Sequence, residues 1–174
     1  QTTASGEIKI GNNLIPNSAL DGELKHLRIY NFVRTENEIQ KSILSNTITT
    51  LPFTSKEPIT TSNLVLYIQS NTTNDSIIFT DSSSSSHSIT PEGNVKHKTE
   101  KTINNISSIY FDGTGDYLSI PNSSDFNFGS NDFTIEFWFY TTHNSSNQTL
   151  LTNAASPWDS QSTWWIGYFS DRKL

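Results

Sequence analysis

The chain has no cysteine and no methionine, and charged residues make up only 16% of its 174 positions. Without cysteine, neither a disulfide framework nor a thiolate zinc site can form. Secreted and virion proteins can be cysteine-free, so the compartment stays open on this ground. No apolar run approaches the roughly 20 residues that span a bilayer, and the first residues, QTTASGEIKI, lack the basic start and apolar centre of a signal peptide. That start fits a chain beginning inside a longer protein. Basic clusters are missing too. The net charge is -6 and the pI near 5.1, with Lys and Arg dispersed. Nucleic-acid affinity rests on clustered cations that neutralise phosphates, so neither DNA nor RNA is expected as a partner. The acidic charge is equally scattered, which argues against binding at an anionic membrane or insertion into it.

Ser, Thr and Asn take the place of charge, giving a hydroxyl-rich surface common among secreted and virion β-proteins. Asn-x-Ser/Thr acceptors begin at Asn71, Asn74, Asn105, Asn122, Asn144 and Asn147. Such a composition produces about this many by chance, so they mark surface loops at most.

Residues 6–33 read as two short strands around the turn-rich PNSALDG. In ELKHLRIYNF, Leu24, His26, Arg28 and Tyr30 fall on one side and Lys25, Leu27 and Ile29 on the other, an imperfect alternation that suits a strand with sheet on both sides. Thr35 and Glu38 form a capping box, and Ile39 and Ile43 lie one turn apart, which predicts one short helix over 36–44. The stretch 45–62, SNTITTLPFTSKEPITTS, has linker composition, and a domain boundary is expected there. The alternative is a long loop inside one domain, although unstructured loops beyond about 15 residues are uncommon.

Further on, NLVLYIQS and DSIIFTD are strand-like, SSSSSHS reads as a flexible polar loop, and ISSIYFDGTGDYLSIP as a strand pair around a Gly-rich turn. DFTIEFWFYTT, TLLTNA and STWWIGYFS are further strands. Short strands separated by turns predict an all-β, antiparallel β-sandwich.

The run IYFDGTGDYLSIPNSSDFNFGSNDFTIEFWFY resembles the N-terminal half of laminin-G-like domains of the concanavalin A-like lectin/glucanase fold. TWWIGYFSDRKL is similar to that family's next strand, and NLVLYIQS to its opening strand. The first segment, IKIGNNLIPNSALDGELKHLRIYNFVRTENEIQKSI, resembles the end of such a domain, so an end precedes a beginning. The resemblance implies a jelly-roll sandwich, either circularly permuted or cut as a window from tandem domains. In the window, 1–44 closes one sandwich, 45–62 links, and 63–174 opens a second. The family's middle strands have no counterpart, which favours the window. The sandwich is then expected to be incomplete within this chain and completed by another copy, an adjacent domain or further residues. Without partner strands, the Phe133, Ile135, Phe137, Phe139 face would forgo about 1.5–3 kcal/mol per side chain. An isolated monomer is accordingly expected to be poorly soluble or partly unfolded.

Three classes of function compete. Glucanases of this fold carry Glu-x-Asp-x-Glu on one strand, because retaining hydrolysis needs two carboxyls about 5–5.5 Å apart. Here Thr134 separates Asp132 from Glu136, and strand positions i and i+4 lie about 13 Å apart, which argues against an enzyme. Calcium sites of relatives combine acidic residues of the opening and closing strands. This chain has Gln69 and Lys25–His26 at the matching places, so calcium is disfavoured there and no cofactor is expected. Asp112 and Asp116 are a weaker calcium candidate beside the simpler reading as an Asp-Gly turn. His26, His87, His97 and His143 show neither zinc nor triad spacing.

Glycan or partner binding has aromatic candidates in Trp138, Tyr140, Trp158, Trp164, Trp165 and Tyr168. Trp138 and one of Trp164 or Trp165 suit core packing, while Trp158, in NAASPWDSQS, is the residue expected to be exposed. The favoured expectation is a non-enzymatic structural or adhesion segment of an extracellular or virion surface or fibre protein, assembling with other copies. A carbohydrate-binding module is the alternative, and a glycoside hydrolase the least favoured.

Overall fold

The computed structural model describes residues 6–12, 18–47, 63–100, 107–142, 147–153 and 164–169, with the side chains of the helix described up to Ser42. Among these residues, the β-branched and aromatic runs form ten strands. They are β1 (Ile8–Ile10), β2 (Asp21–Tyr30), β3 (Leu64–Ile68), β4 (Thr90–Glu92), β5 (Lys96–Lys98), β6 (Ser108–Asp112), β7 (Tyr117–Ile120), β8 (Thr134–Thr141), β9 (Gln148–Asn153) and β10 (Trp164–Tyr168). One helix, α1 (Glu36–Thr47), follows β2. Its start is the expected capping box: the Thr35 N–H donates to Glu38 Oε2 at 2.8 Å, and the Glu38 N–H to Thr35 Oγ1 at 3.4 Å. The helix runs three residues beyond the expected end at 44.

All strand pairs are antiparallel, in two sheets. One has the order β10-β9-β1-β7-β4. The other is built on β2: β6 pairs with Asp21–Leu24 and β3 with Leu27–Tyr30 along one edge, and β8 runs along the opposite edge. β5 extends this sheet beyond β6. The inner faces meet in a single core, with Ile8, Ile10, Leu118, Ile120, Leu150 and Leu151 from the first sheet and Leu24, Leu27, Ile29, Leu66, Ile68, Ile109 and Phe111 from the second. This is an all-β antiparallel sandwich.

Both halves of the chain contribute to both sheets. β1 sits between β7 and β9, and β2 between β8 and the β3/β6 edge, so the segment expected to close one sandwich pairs with the segment expected to open another. The expected linker lies outside the described residues from 48 onward.

Several local expectations are corrected. β6 and β7 do not pair with each other: the turn at Gly113 and Gly115, with φ of +83° and +80°, carries the chain from one sheet to the other. DSIIFTD forms no strand; Ile77 and Ile78 are exposed, and only Asp81 bridges to Ile68. The serine-rich loop is tied down, because the buried Asp81 carboxylate accepts the N–H groups of Tyr67, Ser83 and His87, each at 2.9 Å. β2 alternates differently from the expectation. Its register shifts between Lys25 and Arg28, where His26 adopts φ +52°, and this bulge brings Leu24 onto the same inner face as Leu27 and Ile29.

Among the described residues, the outer edges differ in kind. β4 is three residues long and contains Pro91, and β5 is three residues long with Lys96 and Lys98 at its ends; both features discourage further pairing. On the opposite side, β8 has eight residues with neither Pro nor Lys, and β10 is Trp164–Tyr168. Burial follows the same division: β9 is buried throughout, whereas Ile135, Phe137, Phe139, Trp164, Ile166 and Tyr168 pack on the core while remaining half-buried. Among the described residues, the sandwich is open along its β8/β10 side.

Gly11 reports on the union of the two halves. It has φ +91°, and a Cβ there would lie 2.3 Å from the buried Phe111 ring. Gly11→Ala combines backbone strain with overpacking and is expected to cost roughly 2–4 kcal/mol, whereas Gly115→Ala, with open space around it, is expected to cost about 1 kcal/mol. Urea denaturation measures both, and partial rescue by Phe111→Leu would locate the clash between the two chain halves.

Candidate functional site

The open side holds a groove of about 410 Å³ that wraps the outer edge of β8. Alternation of β8 gives it two walls. One is polar: His26, Arg28, Glu136 and Trp138, with Ile39 and Ser42 of α1. The other is apolar: Ile135, Phe137, Phe139 and Ile166 of β10.

The polar wall is organised around Glu136. The β2/β8 register places it opposite Arg28, whose Nη1 donates to Glu136 Oε1 at 3.1 Å while Nη2 donates to the Tyr67 hydroxyl at 2.9 Å. Arg34, just beyond β2, donates from Nη1 to Glu136 Oε2 at 2.6 Å and from Nη2 to the Glu38 carbonyl of α1 at 2.8 Å. The Tyr30 hydroxyl donates to Glu136 Oε1 at 3.3 Å, and burial, with the Glu136 charge beside it, pushes this phenol up to about 12. Thr134 Oγ1 donates to the Phe32 carbonyl and accepts the Arg34 N–H. Both carboxylate oxygens of Glu136 are thus held by guanidinium groups, and the cluster ties β2, β8 and α1 together.

Glu136→Gln would leave two buried guanidinium groups without their anion, and a loss of about 2–4 kcal/mol is expected. Thermal melting of the variant checks this; an unchanged melting temperature would remove the structural role.

At the bulge, His26 is 7% exposed and its Nδ1 has no hydrogen-bond partner. Burial, with Arg28 and Lys25 nearby, pushes it down to about 4 from an ordinary value of 6.5. The unfolded chain therefore binds a proton that the folded chain refuses between these values. Stability conferred by neutral His26 is complete above about pH 6.5 and is lost as pH falls towards 4, to the extent of roughly 2–3 kcal/mol. His97, also lowered by burial, acts in the same direction. His26→Asn, which tolerates the positive φ, is expected to flatten the decline in urea midpoint between pH 7 and pH 4.5.

The residues singled out from sequence are distributed as follows. Trp138, expected to pack in the core, instead alternates onto the outward face of β8, opposite Lys25, and lines the groove. Tyr140, opposite Glu23, is 45% exposed. Trp164 is half-buried against Phe128, its ring centroid 6.0 Å away, and packs on the core as expected, whereas Trp165 points outward and stacks edge-on with Phe169. Tyr168 packs against Phe139. Trp158 lies outside the described residues, as does His143. Among the described residues, these aromatics are not gathered into one cluster.

Asp112 and Asp116 do share a turn, but as a backbone lock. Asp116 accepts the N–H groups of Asn94 and Asp112, and Asp112 accepts that of Thr114. Such a pair does not fit a cation that wants roughly six to eight oxygens. Gln69 and Lys25–His26 flank the same end of the β2/β3 ladder, just past Leu27↔Ile68. Sequence reasoning missed Arg28 and Arg34 as the partners of Glu136. The signal available was the spacing R-I-Y-N-F-V-R, which puts Arg28 and Tyr30 on one strand face.

Among the described residues, no helix is long and apolar enough to cross a membrane. Comparison with protein-family models, with curated proteins and with solved structures found no match. Fold and geometry define the class as an all-β antiparallel sandwich with one open side.

Proposed function

We propose that this chain is a non-enzymatic structural or adhesion segment of a laminin-G-like surface, fibre or virion protein, and that it assembles with neighbouring copies. The observation that carries this reading is the open β8/β10 side, where inner-face aromatics remain half-buried beside unprotected strand edges. Exposed apolar strand edges of this length invite further pairing, and a surface that kept them by design would use them for assembly. The laminin-G-like resemblance supports the same reading, since the strands it leaves without counterpart would cover such a side. An extracellular or virion setting follows from the hydroxyl-rich composition.

The hydrolase reading is weakened by the engagement of Glu136 with Arg28 and Arg34. One observation favours the lectin reading as second. Trp165 and Phe169, 38% and 37% exposed, form an aromatic pair on the outer face of β10, with Trp165 Nε1 held by Thr149, a surface on which a pyranose could stack.

Light scattering after size-exclusion chromatography is expected to find ordered multimers of the purified chain without any sugar present. A cooperative monomer at all accessible concentrations would overturn the assembly reading. Glycan-array binding lost on Trp165→Ala would establish the lectin reading in its place.

A further inference from the structure

We infer that the edge of β8 is a self-recognition strand, which pairs antiparallel with β8 of a second copy about a two-fold axis at Phe137. This inference rests on the assembly reading above and specifies its interface. Two physical features point to it.

The first is that β8 lacks the devices that keep an edge alone. It has eight residues, no Pro and no Lys, and its one charged side chain, Glu136, is turned to the polar wall and paired there with Arg28 and Arg34. Among the described residues it pairs with β2 alone.

The second is that the strand is complementary to itself. Antiparallel partners lie on the same sheet face, so only registers that pair residues of like parity are allowed. Centring the axis at Phe137 sets Phe137 against Phe137 of the second copy and Ile135 against its Phe139, all apolar, with Glu136 opposite Trp138 on the polar face. Moving the centre to Glu136 sets two like clusters, each one carboxylate with two guanidinium groups, against each other, and moving it to Trp138 sets Ile135 against Thr141. Of these three registers, the Phe137 one keeps apolar against apolar and holds Glu136 away from its own copy. It would continue the β2/β8 sheet from one copy into the next and bring the two apolar groove walls, including Ile166, to a common seam. A second copy is therefore the occupant that the groove's chemistry fits: one apolar row, one polar row, in extended backbone.

Because the chain has no cysteine, one introduced thiol reports on this geometry. Cross-strand neighbours have Cα separations of about 4.5–5.5 Å, within disulfide reach, so Phe137→Cys should oxidise to a covalent dimer about tenfold faster than Trp138→Cys. Equal rates, or faster closure of Trp138→Cys, would overturn the register. Hydrogen exchange on the unaltered chain covers the case in which Phe137→Cys does not fold: protection of the amides from Ile135 to Phe139 should rise with protein concentration. Multimers without that rise would remove this interface and leave the assembly reading standing, whereas a monomeric wild-type chain removes both.

Discussion

The second sheet hangs on β2. Its ten residues hold β8 along one edge and share the other between β6 and β3, so three strands far apart in sequence are registered by a single template. A template with neighbours on both sides must satisfy two conditions at once: an apolar inner face, and outward polar groups with partners inside the assembled sheet. The bulge at His26 reconciles them. It spends one residue to shift the parity, so that Leu24 and Leu27 both enter the core while Lys25 and Arg28 both face outward. The cost is a buried imidazole with an unpartnered nitrogen, which stays neutral because its surroundings are both apolar and cationic.

The outward charges of β2 then need an anion. Glu136 supplies it from β8, and Arg34 joins from the chain leaving β2, so one carboxylate fixes strand register, the exit path of the chain and the seat of α1 together. Such a cluster adds little net stability compared with apolar packing, but its disruption is costly because it strands buried charge. Its value lies in specifying one register for an aromatic strand that hydrophobic contact alone would allow to slip.

Much of this was legible in the sequence, and the parts that were not share a cause. Alternation in TIEFWFYT and the Thr35–Glu38 box report on neighbours within a few residues, and both describe the structure correctly. The destination of a strand depends on distant partners. ISSIYFDGTGDYLSIP looks like a hairpin because its glycines suit a tight turn, yet the same turn can lead into the facing sheet, and Asp112 and Asp116 serve to lock that crossing. DSIIFTD has strand composition but meets the sheet's backbone only at its ends, at His97 of β5 and at Ile68 of β3. Glu136 stands in the sequence as a carboxylate without a catalytic partner, and the groups that hold it, Arg28 and Arg34, could not be read because they lie about a hundred residues away. Trp164 and Trp165 were separable only in principle, since alternation assigns them opposite faces without saying which face is inward.

The two sides of the sandwich carry opposite instructions. At β4 and β5 the edges are short and bear Pro91, Lys96 and Lys98. At β8 and β10 the edges are longer, aromatic and backed by half-buried core residues. A chain selected only for solubility would blunt both sides, because an unprotected aromatic edge invites indiscriminate pairing. In the proposed assembly, one blunted side and one open side direct association to a single place. The Glu136 cluster refines that direction, for it pairs the strand's one acidic side chain and fixes which residues of β8 face inward. The physics that completes β8's inner face and the physics that selects its partner are then the same: the strand that best covers Ile135, Phe137 and Phe139 without stranding Glu136 is one that repeats their pattern.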